Sequence, residues 1–101
     1  MSNALYEPFF IKNTTDCHVK GQADYSLPAF CNTDFFEIGP QGEFSAKARG
    51  ACLLRSVSAQ VTLHDGRVLE AKEFTSAGTG LSRFVVIKVA EAEYMVTLLN
   101  D

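Results

Sequence analysis

The sequence predicts an all-β protein, an antiparallel β-sandwich or small barrel of about seven short strands. Three observations carry that prediction. Apolar and polar residues alternate with a period of two from Ser56 to Leu63, and again through the stretch from Phe84 to Leu99. Strong turn chemistry, Gly39-Pro40-Gln41-Gly42 and Asp65-Gly66, punctuates these runs. The one stretch with helical spacing is also interrupted: Phe44, Ala48 and Cys52 fall four apart, but Gly50 between them disfavours a helix by about 1 kcal/mol.

Taken in order, Phe9, Phe10 and Ile11 suggest a strand, with Pro8 marking a sheet edge or the start of the strand. Thr15 to Lys20 reads as a short strand ending at Gly21, and Gln22 to Asn32, with Pro28, as a loop. Phe35, Phe36 and Ile38 form the next strand, stopped by the Gly39–Gly42 turn. Neighbours on a strand point to opposite faces, so one residue of Phe9-Phe10 and one of Phe35-Phe36 must meet another layer, a subunit or water. From Glu43 to Arg55 the preferred reading is a strand, a turn near Arg49-Gly50 and a second strand from Ala51. A helix near residues 43–55, giving an α+β fold, is the alternative.

Two hairpins follow. A three-residue loop, His64-Asp65-Gly66, sets Val61 opposite Leu69, Ala59 opposite Ala71 and Gln60 opposite Glu70, whereas a two-residue loop would bury Glu70 against Val61. The first register is preferred, with Gly66 in a left-handed position. Thr75 to Gly80 reads as a loop. Beyond it, pairing Val89 with Tyr94, Ile87 with Val96 and Val85 with Leu98 makes one apolar face and leaves Phe84, Val86, Met95 and Leu99 on the other. A strand pair apolar on both faces is central in its sheet or covered by a partner. Phe84, Val86, Met95 and Leu99 are therefore the candidate self-association surface.

Size and charge restrict the classes. The 101 residues fit one soluble domain over 1–101, with Ser2-Asn3-Ala4 resembling a tag remnant within residues 1–4. The net charge is −3 and the nine basic residues are scattered, which argues against nucleic acid as a partner. No apolar run, including Phe84 to Val89, approaches the ~20 residues of a spanning helix. Cys17, Cys31 and Cys52 match no zinc-ligand spacing. Three buried thiols in a cytoplasmic protein are preferred, with one disulfide in a secreted protein as the alternative.

No motif announces chemistry, and no metal or cofactor is expected. Cys17 and His18 are adjacent, so on a strand they face apart, and His64 could approach Cys17 or Cys52 only through the fold. The Gly78-Thr79-Gly80 loop lacks the phosphate-binding spacing. As a binding loop at one end of a sandwich it would offer Ser76, Thr79, Ser82 and Arg83 to a ligand. Asn13-Thr14-Thr15 matches the glycosylation sequon.

Ile11-Lys12-Asn13-Thr14, Gly39-Pro40-Gln41-Gly42 and Ala48-Arg49-Gly50-Ala51-Cys52 together resemble the opening sheet of thaumatin-like β-sandwich proteins, over half of the chain. The resemblance implies a sandwich. The disulfide richness of that family is missing here, and no functional residue carries over. The expected role is a non-enzymatic sandwich that binds a small molecule or protein, or self-associates. The alternatives are a secreted carbohydrate- or membrane-surface-binding sandwich with one disulfide, and a small enzyme using scattered carboxylates with His64.

Overall fold

A computed structural model describes residues 6–26 and 31–99. The tag-like Ser2-Asn3-Ala4, as well as Pro28 and Phe30, lie outside the described residues. Nine strands form among those described: β1 (Phe10–Asn13), β2 (His18–Tyr25), β3 (Asp34–Ile38), β4 (Glu43–Ser45), β5 (Leu54–Thr62), β6 (Val68–Glu70), β7 (Phe74–Thr79), β8 (Arg83–Ala90) and β9 (Glu93–Leu98). The protein is all-β. The 43–55 segment takes the strand reading over the helical one: β4, a turn in which Gly50 has φ 60°, then β5.

Two sheets pack face to face. One has the order β4-β1-β8-β9; the other runs β3-β2-β5-β6, with β7 also paired to β5. Between them lie Phe9, Ile11, Phe84, Val86 and Val96 from the first layer and Val19, Phe36, Val57, Ala59 and Val61 from the second. The inward residues of β5, Val57, Ala59 and Val61, are those its alternation assigns to the core. Phe9 and Phe36 enter the core, whereas Phe35 is 70% exposed, so each Phe-Phe pair divides as strand geometry requires. All strand pairs are antiparallel except β1 with β8, which run parallel through Ile11↔Phe84 and Asn13↔Val86. These two strands are far apart in the chain, which leaves ample length for the crossover a parallel pair needs.

β5 organises its sheet. β6 pairs with Gln60–Thr62 and β7 with Leu54–Val57, so one long strand serves two short ones along the same edge. Between β6 and β7 the chain leaves the sheet. The Lys72 amide donates to Tyr94 O and Lys72 O accepts from the Val96 amide, stitching this edge to β9 of the opposite layer.

The first hairpin has the expected three-residue loop and register, with Val61↔Leu69 and Gln60↔Glu70 paired and Gly66 at φ 93°. The second departs from expectation. Ala90 pairs with Glu93 across the Glu91-Ala92 turn, but an irregularity between Lys88 and Ala90 shifts the register, giving Lys88↔Tyr94, Ile87↔Met95, Val86↔Val96 and Phe84↔Leu98. The bulge at Val89 turns Phe84, Val86, Tyr94 and Val96 together into the core.

Three further expectations are corrected. Thr75–Gly80 is mostly strand β7, because Thr75 and Thr79 pair with Ser56 and Leu54 of β5 on either side of an irregularity, with Gly78 at φ 131° between them. β2 does not stop at Gly21 but runs on to Tyr25. Cys31 and Cys52 form a disulfide with Cα atoms 6.0 Å apart, leaving Cys17 as a buried thiol. The β2–β5 register pairs Tyr25 with Leu54, which carries the segments just outside that pair to the same end of the sheet. No helix among the described residues is long and apolar enough to cross a membrane.

Candidate ligand-binding end of the sandwich

Arg49 sits in the connection between β4 and β5, just before the left-handed Gly50. Its side chain is drawn into one end of the sandwich and is 8% exposed. Nη2 donates to Gly80 O (2.8 Å), Leu81 O (3.2 Å) and Ser82 Oγ (3.3 Å). The guanidinium carbon lies 5.3 Å from the Tyr6 ring centre and 5.6 Å from that of Tyr25. Three neutral acceptors and two aromatic faces offset part of the cost of burying the charge. Among the described residues, Nε and Nη1 have no hydrogen-bond partner and no carboxylate forms an ion pair with Arg49. Buried donors are nearly always satisfied, so two on one cation stand out.

A cavity of about 320 Å³ adjoins this group, walled by Tyr25, Asn32, Asp34, Lys47, Arg49 and the Cys31–Cys52 bridge. Its volume lies at the lower end of the range that small-molecule sites occupy. Inside it the Tyr25 hydroxyl donates to Asp34 Oδ2, so that carboxylate already has a partner. Burial pushes the Tyr25 phenol well above its ordinary range, the Asp34 carboxylate adds to the rise, and Arg49 opposes it.

The predicted ligand contacts gather near this end, but their hydroxyls are engaged. Ser76 Oγ donates to Leu54 O and accepts the Gly78 amide. Thr79 Oγ1 accepts the Leu81 amide. Ser82 is buried, with Oγ donating to Glu7 O while it receives Arg49. Arg83 lies on the outer face of the four-stranded sheet, its guanidinium 4.8 Å from the Phe10 ring centre. Ser76, Thr79 and Ser82 therefore shape the loop that holds Arg49. Arg49 itself was readable only as part of a turn, since nothing local marks its burial.

The structure also splits the candidate interface. Phe84 and Val86 are fully buried against the other sheet, while Met95 pairs with Ile87 and Leu99 with Arg83 on the outer face. The one-residue shift at the bulge accounts for this. The outer apolar set is Val85, Ile87 and Met95, with Val89 51% exposed beside them.

At the far end of β2 and β5, Asp16, Cys17 and His64 converge, with ligand-capable atoms all within 4.8 Å of one another. His18 turns away and pairs with Glu37 at 2.8 Å. Burial raises the pKa of the Cys17 thiol and the neighbouring Tyr94 hydroxyl opposes the rise, so the thiol lacks the activation of a nucleophile. The sequon asparagine, Asn13, is fully buried. Its Nδ2 donates to Cys17 O and Gly39 O and its Oδ1 accepts from the Thr15 amide and hydroxyl, leaving no site for a glycan in the folded chain.

Fold and site together define a small two-layer β-sandwich with a buried, incompletely partnered arginine at one end. No protein-family model matches the chain, and no curated protein matches it. A solved structure described as the NMR structure of the protein from Eubacterium rectale is similar, with a TM-score of 0.58 and 12% sequence identity over 94% of this chain and 91% of that one. At that identity the likeness shows a shared fold.

Proposed function

We propose that this domain is a non-enzymatic binding protein whose ligand presents a carboxylate to Arg49. The observation that carries the reading is the pair of unpartnered donors, Nε and Nη1, on a guanidinium that is 8% exposed at the wall of a cavity. A planar guanidinium matches a carboxylate in shape and charge, and the hydrogen bonds are charge-assisted. Lys47 in the same wall adds positive charge, while the Tyr25 ring and the disulfide supply apolar surface for the body of a small organic acid. Binding is favoured over chemistry because arginine keeps its proton and the Asp34 carboxylate is tied to Tyr25. The Cys31–Cys52 bridge supports placing the domain in an oxidising compartment. Titrating benzoate into ¹⁵N-labelled protein tests the reading. Shifts should concentrate on Asn32, Asp34, Lys47 and Arg49 and saturate; shifts scattered over the surface, or none, would remove it.

A second reading, self-association, is favoured by the outer face of the four-stranded sheet, where Ile87 and Met95 are half-buried around the buried Val85 and Val89 is 51% exposed. Its occupant would be a second copy of this chain. Sedimentation velocity should then show a dimer that Ile87→Glu converts to monomer; a wild-type monomer at high concentration would end this reading.

A further inference from the structure

The second end of the sandwich carries an inference independent of Arg49. Asp16 lies in the β1–β2 connection and His64 in the β5–β6 loop, 48 positions apart in sequence. The antiparallel β2–β5 pairing closes that gap: His18 is opposite Thr62, so the same register continued past the strand ends sets Asp16 opposite His64. Asp16 Oδ1 is 3.5 Å from Cys17 Sγ, and His64 Nε2 is 3.7 Å from Asp16 Oδ2. All three side chains offer a ligand atom within 4.8 Å of the others.

We propose that Asp16, Cys17 and His64 form a binding site for zinc, with a fourth position left for water. The donor set is one thiolate, one imidazole and one carboxylate. Ligand bonds of about 2.0–2.3 Å in a tetrahedron place neighbouring donor atoms about 3.3–3.7 Å apart. Asp16 Oδ1 and Cys17 Sγ are already at that span, and His64, whose Nε2 lies 3.7 Å from the other carboxylate oxygen and whose side chain is 75% exposed on a turn, closes the remaining separations by rotating. The sulfur ligand selects zinc over magnesium or calcium, which take oxygen donors.

The frame around these ligands is fixed. The Cys17 amide donates to Thr15 Oγ1 (3.1 Å) and the Cys17 carbonyl accepts from Asn13 Nδ2 (2.8 Å), so both sides of the cysteine backbone are held. The His64 loop is closed by Leu63 N to Arg67 O (2.8 Å) and Gly66 N to Leu63 O (2.9 Å). On binding, the Zn–S bond forms as the Cys17 proton leaves to solvent, His64 coordinates as the neutral ring through Nε2, and Asp16 coordinates as the carboxylate. The two anionic ligands then balance the dication.

Cobalt(II) is the probe, added to the oxidised full-length chain. Cys31 and Cys52 are bridged, so a sulfur-to-cobalt charge-transfer band can arise only from Cys17. The expected result is a near-ultraviolet band that saturates at one cobalt per chain and is displaced by zinc. His64→Ala changes an exposed turn residue and should keep the fold by circular dichroism while weakening cobalt about tenfold or more. Asp16→Ala, also at an exposed position, should do the same. No band at stoichiometric cobalt, or an affinity unchanged in both variants, would overturn the site.

Discussion

Asn13 shows how much one side chain can organise. Its amide holds the carbonyls of Cys17 and Gly39 at 2.8 and 3.0 Å, and its oxygen takes both the amide and the hydroxyl of Thr15 at 2.9 and 2.7 Å. Asn13→Ala removes all four bonds and leaves buried groups unpaired. It should lower stability by about 3 kcal/mol, read as the shift in urea midpoint. An unshifted midpoint would mean that the connection is held by other contacts. Tyr25 makes a different prediction. Its folded-state phenol has a raised pKa, so the unfolded chain releases this proton first. The stability it contributes is complete below the unfolded value near 10 and is lost as pH rises further. Denaturation midpoints of wild type should therefore fall more steeply above that pH than those of Tyr25→Phe. Parallel profiles would show that the phenol titrates alike in both states.

Among the elements, β2 and its glycine are the most exacting. A Cβ on Gly21 would lie 2.0 Å from Ser58 O, 2.8 Å from Ala59 Cα and 2.8 Å from Phe36 Cζ. Two of those contacts are backbone, so Gly21→Ala should cost about 3 kcal/mol. Gly66→Ala should cost only about 1 kcal/mol, since Gly66 has positive φ but open space around it. Equal losses in thermal unfolding would contradict this packing. The same glycine explains why β2 was legible only in part: in sequence it reads as a stop, and only the fold reveals it as a place where strands and a ring come close. The β5–β6 hairpin was legible because Asp65-Gly66 fixes the turn and charge on Glu70 excludes the other register. The β8–β9 turn was legible too, but the bulge at Val89 has no glycine or proline to mark it, so every pair beyond it moved by one. β7 was missed because its pairing comes from β5 rather than from its own small residues.

At the scale of the whole molecule, the Cys31–Cys52 bridge links the segment after β2 to the turn before β5 across 21 positions. Closing a loop of that length stabilises the fold by about 3 kcal/mol. The double variant Cys31→Ser/Cys52→Ser should lose that amount, and an unchanged midpoint would show that the bridge is not needed. Both ends of the sandwich hold groups that the sequence scatters. Arg49 meets Gly80, Leu81 and Ser82 from 31 to 33 positions away, and Asp16 meets His64, because β5 runs the length of its sheet and delivers distant connections to each end. Local pattern could not show either meeting, since each depends on which strands pair. The central claim is that Arg49 holds a carboxylate. Calorimetric titration of benzoate into wild type and Arg49→Lys tests it most directly, because lysine keeps the charge but loses the planar pair of donors. The account predicts one site per chain in the wild type and at least about tenfold weaker binding in the folded variant. Equal affinities in the two proteins, or no heat from the wild type, would contradict it.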